Sequence, residues 1–201
     1  MSDLILAPTR SVLADRLGAR SVAANITMVV AGAALTASAA QLFIPMWPVP
    51  ITGQTFAVLL VGTTLGALRG ALSMVLYIAL GAFGLPVFAE DSAGFEVIAG
   101  PTGGYLIGFV LAAALTGWLA QRSWDRKVVG AGVAFLAGTV VIYAVGLPWL
   151  SVALGQLGYP NNLGATLQAG LIPFIAGDIV KTIAAGVLLP ITWKLVSRAK
   201  K

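Results

Sequence analysis

Six long apolar segments, divided by short stretches that hold most of the charged residues, set the strongest limit on how this chain can fold. They cover about residues 21–44, 54–67, 71–88, 103–121, 128–151 and 170–194. A helix that crosses the hydrocarbon core of a bilayer needs roughly 20 apolar residues, and fewer where it is thin or broken. Charged residues make up 9% of the 201 residues, against about 25% in soluble domains. The sequence therefore predicts an all-α integral membrane protein with six transmembrane helices.

The basic residues predict how these helices are oriented. Apart from Lys181, the Lys and Arg residues lie outside the apolar segments or at their ends, at Arg10, Arg16, Arg20, Arg69, Arg122, Arg126, Lys127, Lys194, Arg198, Lys200 and Lys201. Cytoplasmic loops carry such an excess of Lys and Arg, and six spans place both termini on one side. Both termini are therefore expected in the cytoplasm. The same distribution argues against a nucleic-acid-binding surface, in spite of the formal net charge of +5.

The chain is expected to contain a cytoplasmic N-terminal segment, residues 1–20, and a single six-helix membrane domain, residues 21–201. Leu13 and Leu17 fall on one face of a helix, which suits a short amphipathic helix in the membrane interface. The alternative is a cleaved signal peptide, for which Ala37-Ser38-Ala39 resembles a cleavage site. The long leading stretch contains acidic residues and the chain stays apolar beyond this point, so cleavage is disfavoured.

The connections predicted on the outer side are long and rich in Gly, Pro and amide side chains. They run from residues 45 to 53, 89 to 102 and about 152 to 169, whereas the cytoplasmic turns are short. Binding residues are concentrated on loops that a rigid scaffold positions. The ligand is therefore expected on the outer side.

The first outer connection contains three prolines around Trp47, which exclude a helix there. One interpretation is a stiff lid over the bundle with Trp47 as an aromatic face, and the other is an interfacial Trp anchor beside a rigid turn. Gln54 begins the next helix and can both donate and accept hydrogen bonds. The alternative interpretation is that Gln54 is a helix cap exposed to solvent.

The segment Gly100-Pro101-Thr102-Gly103-Gly104-Tyr105 ends the second outer connection. Its glycines allow the backbone to approach a ligand, and Tyr105 supplies a ring with a hydroxyl group. The alternative is a loop-to-helix junction with an interfacial Tyr. A phosphate-binding loop is disfavoured, because no Lys follows the glycines and no strand precedes them. The acidic residues Glu90, Asp91 and Glu96 of this connection are expected to be solvated.

Asp178 and Lys181 are the sharpest candidates for a functional site. They lie three residues apart in Gly177-Asp178-Ile179-Val180-Lys181, so they share one helix face. Charged residues at membrane depth are costly and mark functional sites. In a helix starting near Gly170, Lys181 would lie roughly 15 Å along the axis. The alternative is an ion pair that only joins helices, which repays its desolvation poorly.

The first apolar segment is rich in small residues four apart, such as Ala33 and Ala37. This spacing permits close helix approach. It predicts either a docking face for another membrane protein or packing within the bundle.

Four motifs occur in this order along the chain: Pro48-Val49-Pro50-Ile51-Thr52-Gly53-Gln54, Gly84-Leu85-Pro86-Val87, Gly100-Pro101-Thr102-Gly103-Gly104-Tyr105 and Gly177-Asp178-Ile179-Val180-Lys181. Together they resemble the BioY family, the biotin-specific substrate-binding subunits (S-components) of energy-coupling-factor (ECF) transporters. The resemblance covers about residues 25–195. It implies an S-component-type bundle that holds biotin near the outer face. It also implies docking of the first helix on a transmembrane coupling protein.

The resemblance also implies site residues. By position, Gln54, Tyr105, Asp178 and Lys181 match residues that the family uses around its ligand, and Thr102 lies in a matching motif. Ser92 falls where a ligand-facing polar residue, often Asn, is expected in the family, and so departs from the pattern. Biotin's ureido ring offers two N–H donors and a carbonyl, which suit Asp178 and Lys181, while Trp47, Tyr105 and Phe43 would cover its hydrocarbon. Lys181 pairing with the valerate carboxylate is the other arrangement.

The expected function is high-affinity capture of biotin for uptake across the inner membrane of a prokaryotic cell. Biotin is then a transported ligand, with no cofactor and no metal. An ECF coupling protein and ATPase subunits are expected partners, since the chain has no Walker-type loop, and a homo-oligomer is the alternative. An S-component or carrier for another vitamin is the second hypothesis. A membrane enzyme using Lys181 as a Schiff-base or general-base lysine is disfavoured, because the chain has no Cys and no His.

Overall fold

The computed structural model describes residues 11–16 and 21–198. Within these residues the chain forms nine α-helices, namely α1 Leu13–Arg16, α2 Val22–Ala40, α3 Gln54–Leu65, α4 Ala67–Ala82, α5 Phe95–Ala99, α6 Gly103–Gln121, α7 Val128–Gln156, α8 Leu163–Gly170 and α9 Ile175–Arg198. Two short antiparallel strands, β1 Phe43–Ile44 and β2 Ile51–Thr52, pair Phe43 with Thr52 and Ile44 with Ile51. Three single 3₁₀ turns lie at Ala89–Asp91, Trp124–Arg126 and Ile172–Phe174.

Each of the six predicted apolar segments coincides for most of its length with one helix, α2, α3, α4, α6, α7 or α9, although α4 begins earlier and α7 and α9 end later than predicted. In the described part of the chain, four helical stretches are long and apolar enough to cross a membrane: Val22–Ala40, Gly103–Gln121, Val128–Gln156 and Leu163–Arg198. The helices α3 and α4 are shorter, as the sequence predicted for the second segment. A mostly helical membrane bundle is therefore confirmed.

The last stretch is broken where the sequence predicted one helix from residue 170. The backbone leaves the helical region at Leu171, with φ −131° and ψ −57°, and Pro173 follows in the 3₁₀ turn. Proline has no N–H to donate, which favours a break here. Because α9 begins at Ile175, Lys181 lies only about 9 Å along its axis and not 15 Å.

Helix α6 forms the centre of the bundle and packs against α3, α4 and α7. Small residues make this possible, since α6 contains Gly108, Ala112, Ala113, Thr116 and Gly117 on its buried faces. A Cβ atom on Gly117 would lie 2.3 Å from the backbone nitrogen of Ala67, so a larger residue would force α4 and α6 apart. The central position of α6 brings the beginning of that helix, at Gly103–Tyr105, under the outer connections.

The small residues Ala33 and Ala37 do not provide a free docking face. Ala33 is buried in the main core, and the half-buried Ala37 packs against the same core. Helix α2 contacts α3 and α4, and Gly32 lies so close to Ser73 and Val61 that an added Cβ would overlap both. At Ala33 and Ala37 the spacing of small residues therefore serves packing within the bundle, the second of the two interpretations that the sequence left open.

The end of the bundle that carries most of the basic residues is named the basic end here. Helix α1 packs there, with Val12, Leu13 and Ala14 buried. Asp15 accepts a hydrogen bond from the backbone N–H of Val12 and forms an ion pair with Arg69 at 2.5 Å. Leu17 and most of residues 1–20 lie outside the described residues, so the interfacial helix stays a prediction.

Candidate ligand-binding site

A cavity of about 580 Å³ lies at the opposite end, between the outer connections and the ends of the long helices. Apolar and aromatic side chains dominate its wall. The lining residues are Pro45, Met46, Trp47, Pro48, Val49, Pro50, Thr52, Gln54, Thr55, Phe88, Ala89, Glu90, Ser92, Glu96, Val97, Gly100, Pro101, Thr102, Tyr105, Leu106, Phe109, Ile142, Tyr143, Phe174 and Lys181. A concave, mostly apolar space with a few polar groups is the usual form of a small-molecule site.

Lys181 supplies the cationic group of this cavity. Its Nζ donates hydrogen bonds to the Thr52 carbonyl at 3.0 Å and to Thr55 Oγ1 at 2.6 Å, and lies 3.4 Å from Asp178 Oδ1. An ammonium group has three N–H donors, so all three are engaged. The side chain is one-fifth exposed. Helix α9 is thereby connected to β2 and to the first turn of α3.

Asp178 lies behind Lys181 and is not among the residues that line the cavity. Its Oδ2 accepts a short hydrogen bond from the Tyr143 hydroxyl, and its Oδ1 faces Lys181. The side chain is 12% exposed. The sequence predicted the Asp178–Lys181 contact from their three-residue spacing. It did not predict that both carboxylate oxygens are engaged by the protein itself.

Tyr143, on α7, is a residue of this site that sequence reasoning missed. It lines the cavity and its ring meets that of Tyr105 edge-to-face, with centroids 6.3 Å apart. The only signal in the sequence was a hydroxyl group in the middle of an apolar helix, where it needs a hydrogen-bond partner. Many core tyrosines give the same signal, and its partner Asp178 is 35 residues away.

Gln54 is buried, and the alternative of a solvated helix cap is wrong. It is 7% exposed and lines the cavity at the start of α3. Its Oε1 accepts from the Thr52 hydroxyl at 2.9 Å, and its Nε2 donates to the hydroxyl of the fully buried Tyr77 at 2.5 Å. These two bonds fix the orientation of its amide beside Lys181's partner Thr52.

Tyr105 faces the cavity with its ring and uses its hydroxyl elsewhere. The side chain is buried at 7% exposure, and the hydroxyl donates to the Gly170 carbonyl at 2.9 Å. This bond joins the beginning of α6 to the end of α8. The ring is therefore available to a ligand, while the hydroxyl holds the sixth predicted segment in place.

Three further predicted residues line the cavity, and one does not. Trp47 is exposed at the mouth and packs on Tyr159, with ring centroids 4.3 Å apart, which suits the lid interpretation of the first connection. Thr102 donates to the Val97 carbonyl at 3.1 Å and Ser92 to the Ala89 carbonyl at 2.6 Å, so both hydroxyls stabilise their loop. Phe43 is not among the lining residues, because it lies on β1, outside the cavity.

The charges around the cavity are separated by depth. Glu90 and Glu96 line it at the mouth and are exposed, as expected for solvated residues, whereas Lys181 lies inside. The wall between them is apolar. This arrangement suits a ligand with an apolar body and a polar group that accepts a hydrogen bond from an ammonium.

The sequence model of the BioY family matches residues 10–198 of this chain. The chain belongs to the BioY family. The match covers all the helices described above and every residue of the cavity. It also confirms the resemblance that the four sequence motifs indicated.

Individual BioY relatives agree with this membership. The chain is 39% identical over 174 residues to the biotin transporter BioY of Rhodobacter capsulatus, covering 82% of this chain and 90% of the relative. It is 38% identical over 156 residues to the biotin transporter BioY of Thermotoga maritima, covering 77% of this chain and 87% of the relative. These relatives are transporters, and the chain is a multi-pass membrane protein of a transport family, not an enzyme.

A solved structure has the same fold. The crystal structure of the S-component for biotin from an ECF-type ABC transporter matches with a TM-score of 0.73 and 28% sequence identity. The match covers 85% of this chain and 90% of that chain. The bundle is therefore of the S-component type.

Proposed function

We propose that this BioY protein binds biotin with high affinity at its outer face and is the substrate-capturing subunit of an ECF-type uptake system. The observation that carries the proposal is the cavity of about 580 Å³ with Lys181 inside it, in a chain whose relatives are biotin transporters. The site residues follow from this: Lys181, Tyr143, Gln54, Tyr105, Thr102, Ser92 and Trp47 surround the ligand. Asp178 contacts Lys181 and accepts a hydrogen bond from the ligand.

The contacts of Lys181 suggest how the ureido ring binds. All three of its N–H groups are engaged, and the longest contact is the one of 3.4 Å to Asp178. We infer that the ureido carbonyl of biotin takes the place of Asp178 on Lys181. The freed Asp178 Oδ1 then accepts one ureido N–H, so each protein group exchanges one partner for another.

The same contacts favour this orientation over its reverse. A valerate carboxylate on Lys181 would lie beside Asp178, and two like charges at that separation repel each other. The ureido group, by contrast, offers a donor to Asp178 and an acceptor to Lys181. The valerate chain and thioether ring then contact the aromatic wall near Tyr105 and Trp47.

The topology we propose has six membrane spans with both termini in the cytoplasm. It is supported by the basic end of the bundle, where Arg16, Arg69 and Arg126 lie, and by the acidic residues at the cavity mouth. Cationic ends face the cytoplasm in multi-pass proteins. The cavity then opens to the outside of the inner membrane of a prokaryotic cell.

We further propose that the exposed face of α2 contacts an ECF coupling protein, which carries ATPase subunits. Val22, Ile26 and Val30 are exposed on this face, whereas Gly32, Ala33, Thr36 and Ala40 are buried in the bundle. A homo-oligomer formed through the same face is the alternative. Neither arrangement assigns a cofactor or a metal to this chain.

Calorimetry of the ligand-free, purified protein tests the proposed function. We expect nanomolar affinity for biotin and no comparable heat with thiamine, riboflavin or folate. Biotinamide, which lacks the carboxylate, should bind within a few-fold of biotin if the ureido ring meets Lys181. Loss of biotinamide binding would reverse the ligand in the cavity. A better response to another vitamin would reject the biotin assignment itself.

A further inference from the structure

A second concave site lies at the basic end, far from the biotin cavity along α9. It has a volume of about 380 Å³, and its lining includes Arg16, Arg126, Trp193, Lys194 and Arg198. These residues come from three separate parts of the chain: α1, the turn between α6 and α7, and the end of α9. Four cationic side chains therefore converge on one pocket. Basic residues that only set the orientation of the helices in the membrane would not need to converge in this way.

The pocket is organised around one indole ring. The guanidinium carbon of Arg126 lies 4.4 Å and that of Arg16 6.0 Å from the centroid of the Trp193 ring. The ring itself is buried, and its Nε1 donates to Asp125 Oδ2 at 2.5 Å. Cation–π contacts of this kind hold guanidinium groups in place. Asp125 thus positions the ring, and the ring positions two arginines.

The acidic residues around this pocket balance only part of its positive charge. Asp125 interacts electrostatically with Arg126 but is fully buried behind Trp193, and Asp15 is paired with Arg69. In the described part of the chain, the two ion pairs are Asp15–Arg69 and Asp178–Lys181, and neither includes a cation of the pocket. Of the seven acidic residues, only Asp3 lies outside that part. The site therefore attracts an anion.

The surroundings of the pocket indicate the source of that anion. Ile191 and Leu195, next to the pocket residues on α9, are exposed, as are Val128 and Val129 at the start of α7. A cationic pocket beside exposed aliphatic side chains at the end of membrane helices matches a phosphate group that carries acyl chains. Basic pockets between membrane helices on the cytoplasmic side bind anionic lipid headgroups.

We propose that the pocket formed by Arg16, Arg126, Trp193, Lys194 and Arg198 binds the phosphate headgroup of an anionic phospholipid. Its acyl chains lie along the exposed side chains of α7 and α9. The site is separate from the biotin cavity and does not depend on the function proposed for that cavity. Bound lipid joins α1, the α6–α7 turn and α9 at one point, and so stabilises the basic end.

Native mass spectrometry of the whole chain, released from mild detergent with defined lipids, tests the site. We expect retained adducts with phosphatidylglycerol and few with phosphatidylcholine of the same acyl chains. The double variant Lys194→Gln with Arg198→Gln should lower the affinity for phosphatidylglycerol roughly 30-fold, given the usual contribution of each basic residue at an anionic surface. Neither side chain takes part in the two ion pairs of the described residues, so the fold should be kept.

The matched control is Arg122→Gln with Lys127→Gln. It removes the same charge from the same end, but neither residue lines the pocket, and Arg122 instead lies over Trp118 at 3.4 Å. Arg16→Gln is a second pocket variant. Biotin affinity, measured in parallel, checks that each variant is folded.

Four outcomes would overturn the proposal. They are equal loss of lipid in the control and pocket variants, equal binding of phosphatidylcholine, no retained adduct, and thermal stabilisation by inorganic phosphate as large as that by phosphatidylglycerol. The last would identify a free-phosphate site and not a lipid site. Selective loss in the two pocket variants, with biotin binding unchanged, would support the lipid site.

Discussion

Two carboxylates lie close to opposite ends of this bundle, and each accepts a hydrogen bond from an aromatic side chain. Asp178 accepts from the Tyr143 hydroxyl beside the biotin cavity, and Asp125 from the Trp193 indole at the basic end. In both pairs the partner is on another helix, so each carboxylate joins two distant segments. In this hydrogen bond to a distant aromatic side chain, the two sites are alike.

They differ in the second carboxylate oxygen. Asp178 Oδ1 lies 3.4 Å from Lys181, whose ammonium lines the cavity. Asp125 is fully buried, and its Oδ1 has no hydrogen-bond partner within the described residues. A carboxylate that serves a ligand needs a partner that the ligand can replace. In the part of the chain that the structure describes, Asp125 Oδ1 has no such partner and Asp125 does not line the cavity, so we expect Asp125 to position the Trp193 ring and not to contact the ligand.

The largest effect should come from Lys181→Ala. Removal of one partner from a desolvated, hydrogen-bonded charge pair costs about 2–5 kcal/mol, which corresponds to a loss of biotin affinity of at least about 30-fold. Calorimetry measures this loss. Lys194→Ala removes a lysine from the same helix at the basic end and should leave the affinity unchanged. Equal effects of the two variants would contradict the special role of Lys181.

Asp178→Asn should weaken biotin binding at least about tenfold, or about 1.4 kcal/mol. The amide still accepts from Tyr143 but loses the charge that faces Lys181 and the ureido N–H. Asp125→Asn is the matched change at the other carboxylate, and it should leave biotin affinity as it is. Tight binding by Asp178→Asn would make the Asp178–Lys181 pair a structural one.

Trp193→Phe should act on stability and not on binding. It removes the hydrogen bond to Asp125 and leaves a buried carboxylate oxygen without a donor, at a cost of about 1–3 kcal/mol in the free energy of unfolding. Thermal unfolding in detergent measures this cost. A fall in the biotin affinity of the folded variant would show that the two ends of the bundle are coupled and not independent.

Tyr143→Phe should have a smaller effect at the biotin site. It deletes one hydrogen bond to Asp178, worth about 1 kcal/mol, which predicts biotin binding weakened about fivefold. Tyr105→Phe is the control, because its hydroxyl donates to Gly170 and its ring is kept. That variant should lower the unfolding temperature while its biotin affinity stays near wild type. The reverse ranking would assign the polar contact to Tyr105.

The smallest effect concerns pH. Burial raises the pKa of Asp125 above its ordinary value of 3.8, and the Trp193 hydrogen bond and the charge of Arg126 only partly offset the rise. A raised carboxyl pKa means that the folded state holds the proton more tightly, so the ionised residue lowers stability. This cost should disappear as the pH falls through the raised pKa towards 3.8. The difference in unfolding temperature between Asp125→Asn and wild type should therefore shrink as the pH is lowered from neutral. A constant difference would contradict the buried, ionised Asp125.

The sequence by itself determined that the chain is a bundle of apolar membrane helices, where most of these helices lie, and that Asp178 contacts Lys181. It did not determine the break before α9 or the short helices α5 and α8 in the connections. The features that it did determine depend on short segments, because an apolar stretch must satisfy its backbone as a helix and residues three apart share a helix face. The four motifs also identified the family, since their order and spacing are properties of the chain alone.

Only the tertiary structure decided which helix faces point inward and which distant groups meet. Ala33 was open to a docking interpretation and is buried, Gln54 was open to a solvated interpretation and lines the cavity, and Tyr143 was missed. Lys181 donates a hydrogen bond to the carbonyl of Thr52, which lies 129 residues earlier in the chain. The physical reason is that lipid is as apolar as the interior of the bundle, so an apolar helix carries no pattern that separates its lipid-facing side from its buried side.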